Sequence, residues 1–217
     1  MPSVRRLPTR DLAVIALFAA LIAALGLPGS FNLFGNAVPV TAQTLGVMLA
    51  GSILGARRGF LAVATFAVLV LAGLPLLAGG RGGIGVLAGP SAGYFLAFPL
   101  GAWVTGWLTE KTMPRYSLPL GFVANVVGGI AVVYAIGIPV QAARTGTSEL
   151  VATIVAAAVF LPGDLIKAAV ATVVAKGVHA GYPTLGSRTS SSRTSSSRTS
   201  TGEETAGGTV RNDGHLP

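Results

Sequence analysis

Cysteine does not occur in the 217 residues, so disulfides, thiolate metal sites and cysteine nucleophiles are excluded together, and no redox compartment can be read. Histidine is nearly absent, with only His179 and His215, and His, Asp and Glu nowhere cluster at metal-ligand spacing. Charge is scarce as well. Asp, Glu, Lys and Arg make up 10% of the chain, against about 25% in a soluble domain that needs a hydrated surface. No G-x-x-x-x-G-K-[ST] loop is present, so an ATP-driven step would need a separate subunit. The net charge of +8 does not gather on one face among aromatics, which argues against nucleic acid as a partner.

What fills the chain instead is apolar sequence, at 52% of residues. Six apolar stretches run from Asp11 to Leu27, Val40 to Gly55, Gly59 to Leu77, Ser91 to Thr109, Leu118 to Ile138, and Leu150 to Val178. At 1.5 Å per residue the first reaches about 26 Å, enough nearly to span a bilayer. The reading is an all-α integral membrane protein with six transmembrane helices over residues 11–181. Pro162-Gly163 inside the last stretch predicts a kink or an interruption there.

Basic residues give the orientation. Arg5, Arg6 and Arg10 precede the first stretch, Arg57 and Arg58 follow the second, Lys111 and Arg115 the fourth, and Lys176 lies at the end of the sixth. The opposite loops carry only Arg81 and Arg144, so both termini are predicted cytoplasmic, in a multi-pass protein of the bacterial plasma membrane. Reading the first stretch as a cleaved signal would spoil this bias. Residues 1–10 form a short cytoplasmic N-terminus. Residues 182–217 change character: Arg188, Arg193 and Arg198 recur in a Ser/Thr repeat that predicts a disordered cytoplasmic tail.

Within so apolar a chain, Asp164 and Lys167 stand out. Three residues apart after Phe160-Leu161-Pro162-Gly163, they share a helix face. Each costs about 2.5–3.5 kcal/mol at the centre of a membrane helix, so they need each other or a polar cavity. Gln43, in Val38-Pro39-Val40-Thr41-Ala42-Gln43-Thr44, offers a donor and an acceptor, either to a ligand amide or as glue between helices. The glycine-rich run from Ala78 to Gly85 places Arg81 near Tyr94, in a folded or a loose loop. Asn125 is buried and polar, for a ligand or for packing. Ala16, Ala20 and Ala24, with Ala19 and Ala23 beside them, make a stripe of small residues for internal packing or for docking another membrane protein. Gly89-Pro90-Ser91-Ala92-Gly93 fits G-x-S-x-G but lacks both the preceding strand and a base. Three functions fit this set: a binding component of an importer, a self-sufficient proton-coupled carrier titrating Asp164, or a membrane-embedded acid–base enzyme.

Taken in order, the segments Val38 to Met48, Leu54-Gly55-Ala56-Arg57-Arg58-Gly59, Gly79-Gly80-Arg81-Gly82-Gly83, Gly89 to Tyr94 and Phe160 to Lys167 resemble the BioY family, the biotin-specific substrate-binding components of energy-coupling factor transporters. The resemblance spans about Asp11 to Lys176. It implies a non-enzymatic component with a vitamin pocket near the outer surface and no cofactor, biotin being the transported ligand. Its implied partners are a membrane-embedded coupling protein and two ATP-binding-cassette ATPases. By that resemblance Gln43, Tyr94, Asp164 and Lys167 fall on pocket positions, with Arg81 and Asn125 as further candidates, and Ala16, Ala20 and Ala24 fall on the docking surface for the coupling protein.

Overall fold

The structure is a computed structural model that describes residues 8–27, 29, 41–146 and 150–181. The residues before 8, the Val38-Pro39-Val40 approach to the second stretch and the predicted tail at 182–217 lie outside the described residues. Those described are mostly helical, with no β-strand among them beyond a lone bridge between Leu77 and Arg81.

Helix α1, Thr9–Ala24, buries Asp11, Ile15, Ala19 and Ile22, a single face at steps of four, four and three. Helix α2, Gln43–Leu54, is buried along nearly its whole length because it packs against α1, α3, α4 and α8 at the centre of the molecule. It meets α3, Ala56–Leu71, at a one-residue corner, Gly55, whose φ of 80° is a backbone state that side chains disfavour. Helix α4, Ala92–Thr112, closes on that corner through Gly106, where a Cβ would strike the backbone of Gly55 and Ala56. The Ala56 N–H donates to Glu110 Oε1 of α4 at 2.8 Å, capping α3 from a neighbour. This is why α3 begins three residues before the predicted Gly59.

Helix α3 also ends earlier than the predicted Leu77, because Gly73 turns the chain with a φ of 108° and Pro75 follows. The glycine-rich stretch beyond it is folded. The Leu77 N–H donates to the Arg81 carbonyl, Gly83 N–H donates to Val70 O at 2.7 Å, and a 3₁₀ turn runs over Ile84–Ala88.

Helix α5, Leu118–Asn125, passes through a π-helical segment, Val126–Val132, into α6, Val133–Thr145. Together these 28 residues are the one helix among those described that is long and apolar enough by itself to cross a membrane. Its buried positions include Gly121, Asn125, Gly129, Val133, Gly137 and Gln141, a strict four-residue repeat. In a straight α-helix each such step overshoots a full turn by roughly 40°, so the inward face would drift to the opposite side over five steps. The wider π turns rotate less per residue and take back part of that drift, which keeps both ends of the repeat pointing inward.

The last apolar stretch is interrupted, as its sequence predicts, between α7, Leu150–Ala158, and α8, Leu161–Gly181. The break falls at residues 159–160 because Pro162 is tolerated in the first turn of α8, where its missing N–H would have no partner anyway. On the outside, Leu17, Val68, Ile166 and Val173 are each more than 60% exposed, a surface suited to lipid rather than to water.

Candidate binding site

One cavity, about 660 Å³ with its open mouth included, is enclosed by α2, α4, α6, α8 and the loop after α3. Its walls are chiefly aromatic, from Phe95, Phe98, Tyr94, Tyr134 and Phe160, with Leu77 and Val133. One side is polar. There Lys167 Nζ donates to Asp164 Oδ1 at 2.9 Å, to the Thr41 carbonyl at 2.6 Å and to Thr44 Oγ1 at 3.0 Å. Asp164 Oδ1 also accepts from Thr44 Oγ1 at 3.3 Å, and Oδ2 accepts from the Tyr134 hydroxyl at 2.6 Å. The ammonium thus has all three of its donors engaged, and the carboxylate keeps a free lone pair beside an open space. Asp164 is buried and Lys167 partly so; the two charges are balanced against each other and laid on the wall of a void, the arrangement that makes ions tolerable in an apolar interior.

Five of the six predicted site residues line this cavity. Besides Asp164 and Lys167, Tyr94 presents its ring to the cavity while its hydroxyl donates to the buried Gln141 Oε1 at 2.9 Å. The ring stands edge-on to Tyr134 at 6.0 Å and lies over Gly137, where any Cβ would overlap it. Arg81 sits exposed at the mouth, held only loosely, by the Ala78 carbonyl at 3.3 Å and Ser91 Oγ at 3.4 Å, so most of its five donors remain available. Gln43 lines the cavity too, but its amide is spent on backbone: Nε2 donates to Leu76 O at 2.9 Å and Oε1 accepts from the Ala78 N–H at 3.3 Å. It ties the glycine-rich loop to the top of α2.

Asn125 lies outside the cavity lining. It is fully buried where α2, α5 and α8 meet, accepting from Ser52 Oγ at 2.8 Å and donating to Thr172 Oγ1 at 3.1 Å. The candidate docking stripe separates by face. Ala16, Ala20 and Ala24 are exposed along α1, while Ala19 is buried and Ala23 partly so. Tyr134 was not singled out in the sequence, and neither were Thr41 and Thr44 beyond their place beside Gln43. Tyr134 stands nine residues after Asn125, half a turn out of phase on an ideal α-helix, so periodicity gave no sign that both face inward.

The family model of the BioY family matches residues 1–184 of the chain. A biotin transporter BioY of Rhizobium etli is 46% identical over 185 residues, covering 83% of this chain and 98% of that protein. A probable biotin transporter BioY of Bacillus subtilis is 45% identical over 165 residues, 76% of this chain and 88% of the other. Among solved structures, the S-component for biotin from an energy-coupling-factor-type ABC transporter superposes with a TM-score of 0.76 at 28% identity, covering 79% of this chain and 91% of that one. With a family model over most of its length, near-complete curated relatives and a shared fold, this chain is a membrane protein belonging to the BioY family.

Proposed function

We propose that this protein is the substrate-binding component of an ATP-driven vitamin importer, capturing biotin in the cavity beside Asp164 and Lys167, without enzymatic chemistry of its own. Six spans with both termini cytoplasmic put the Arg81 mouth outside, which agrees with the basic loops at the other end of the bundle. The observation that carries the reading is a buried acid neutralised by a partly buried amine on one wall of an otherwise aromatic hollow.

The ligand's chemistry fits this division. Biotin offers two ureido N–H donors, a flat apolar body and a carboxylate tail. The free lone pair of Asp164 suits a ureido N–H, and Tyr94, Phe95 and Phe160 suit the ring body. Lys167 has no donor to spare, so the carboxylate falls to Arg81 at the mouth. A coupling protein seated on Ala16, Ala20 and Ala24, together with two ATPases, supplies the driving force in this proposal.

Mass spectrometry of protein purified in detergent is expected to release biotin, and Asp164→Asn and Lys167→Ala are each expected to abolish high-affinity uptake. Recovery of an unrelated solute, or binding undisturbed in the double variant, would remove the site. Arg81→Gln is expected to weaken biotin binding about tenfold to a hundredfold while leaving the methyl ester nearly unaffected, since it deletes one charge-assisted contact. Transport by the reconstituted chain alone, lost when the proton gradient is dissipated, would favour the self-sufficient carrier instead.

A further inference from the structure

The far end of α4 carries a feature that biotin binding does not use. Leu96, Leu100, Trp103 and Trp107 follow one another at steps of four, three and four, and each is more than 40% exposed. Trp103 and Trp107 stack with ring centroids 6.4 Å apart and planes within 11°. Lys111, one turn further, holds its ammonium 3.5 Å over the Trp107 ring. From Leu100 to Lys111 the helix rises about 16 Å, close to the hydrocarbon depth of one leaflet. The stripe therefore reads, from bilayer centre to surface, as aliphatic, then aromatic, then cationic.

Charge balance points to what completes it. Three acids occur among the described residues, and each is engaged within the fold: Asp11 pairs with Arg58 at 2.7 Å, Glu110 accepts from the Ala56 N–H, and Asp164 pairs with Lys167. Lys111 and the exposed Arg115, just past the helix end, have no carboxylate partner among the described residues. The Lys111 ammonium rests over the Trp107 face, and its N–H groups directed away from the ring are available for an anion at the headgroup level.

We propose that this face is a seat for an anionic phospholipid, with the phosphate on Lys111 and Arg115 and an acyl chain along Trp107, Trp103 and Leu100. A protein partner is disfavoured at this place because the stripe has no small residues for a close helix approach, unlike α1.

The chain contains only two tryptophans, both in the seat, so their fluorescence reports on it alone. The full-length protein is placed in nanodiscs of mixed phosphatidylcholine and phosphatidylglycerol at low ionic strength, with bromine on the acyl chains of one lipid at a time. At equal mole fraction, brominated phosphatidylglycerol is expected to quench as though enriched about fivefold to thirtyfold, the preference of one to two basic residues at an anionic surface. In Lys111→Gln/Arg115→Gln the two lipids are expected to quench alike, with biotin affinity unchanged as the check on folding, and Lys111→Arg, which keeps both charges, is expected to retain the difference. Equal quenching by both lipids in the unaltered protein overturns the proposal. So does a preference that survives in the double variant, which would place the anionic lipid elsewhere. Loss of coupled uptake in the double variant with no lipid preference in either protein would assign the face to a partner subunit. Because the readout needs no ligand, its failure is independent of the biotin reading.

Discussion

At the scale of single residues, the pocket depends on side chains that are absent as much as on those present. Gly137 leaves the space into which the Tyr94 ring settles, and Gln141, one turn on, fixes that ring by its hydroxyl. The ring has no room to yield, so Gly137→Ala is expected to weaken ligand binding by about 1–3 kcal/mol, the usual cost of overpacking a filled interior. Tyr94→Phe keeps the ring and loses only the hydrogen bond, so its cost should be near 1 kcal/mol. Calorimetric titration of the two purified variants checks the order; a larger loss in Tyr94→Phe would mean that the hydroxyl meets the ligand directly. Asp164 and Lys167 were legible in the sequence because a charge inside an apolar run has few explanations. Tyr134 was not, since a hydroxyl on an aromatic ring hardly disturbs an apolar run. Its 2.6 Å bond to Asp164 depends on how the helix is wound.

That winding is a property of the element. The π segment between α5 and α6 adds residues to a turn without turning the face that follows, and so lets Asn125 serve the packing of α2, α5 and α8 while Tyr134 serves the cavity. Removing the lipid-exposed Val127 should let the segment relax into a regular α-helix with Tyr134 still inward, and binding should hold within a few-fold. Adding one alanine after Ala131 has no such outlet. It swings Tyr134 by about 100° and should abolish binding. Equal loss in the two proteins would show that the segment is not what sets the register. The same physics explains what sequence could and could not give about the other helices. Apolar runs located them, because residues facing lipid and residues packed in the core are both apolar. Their ends were set by distant partners: Glu110 draws the start of α3 back to Ala56, and Gly73 with Pro75 stops it at Leu71.

For the whole molecule, the proposed function asks one bundle to hold a ligand at one end of its core and to present a surface to a partner along one side, and α1 offers a way to keep the two apart. Its inward face, Ile15, Ala19 and Ile22, packs into the core, and the ion pair between buried Asp11 and partly buried Arg58 of α3 fixes its rotation. The exposed Ala16, Ala20 and Ala24 are not among the residues that line the cavity. A bulky residue there should therefore leave capture intact and prevent delivery. In Ala20→Phe, biotin affinity in detergent is expected to match the unaltered protein, while uptake in cells that supply the coupling protein and ATPases should fall at least tenfold, because close helix approach across small residues cannot accommodate a ring. Uptake that persists would separate the stripe from any docking role. Affinity and uptake falling together would mean that α1 transmits strain to the cavity, through the contact of its buried face with the core around Val47 and Phe66.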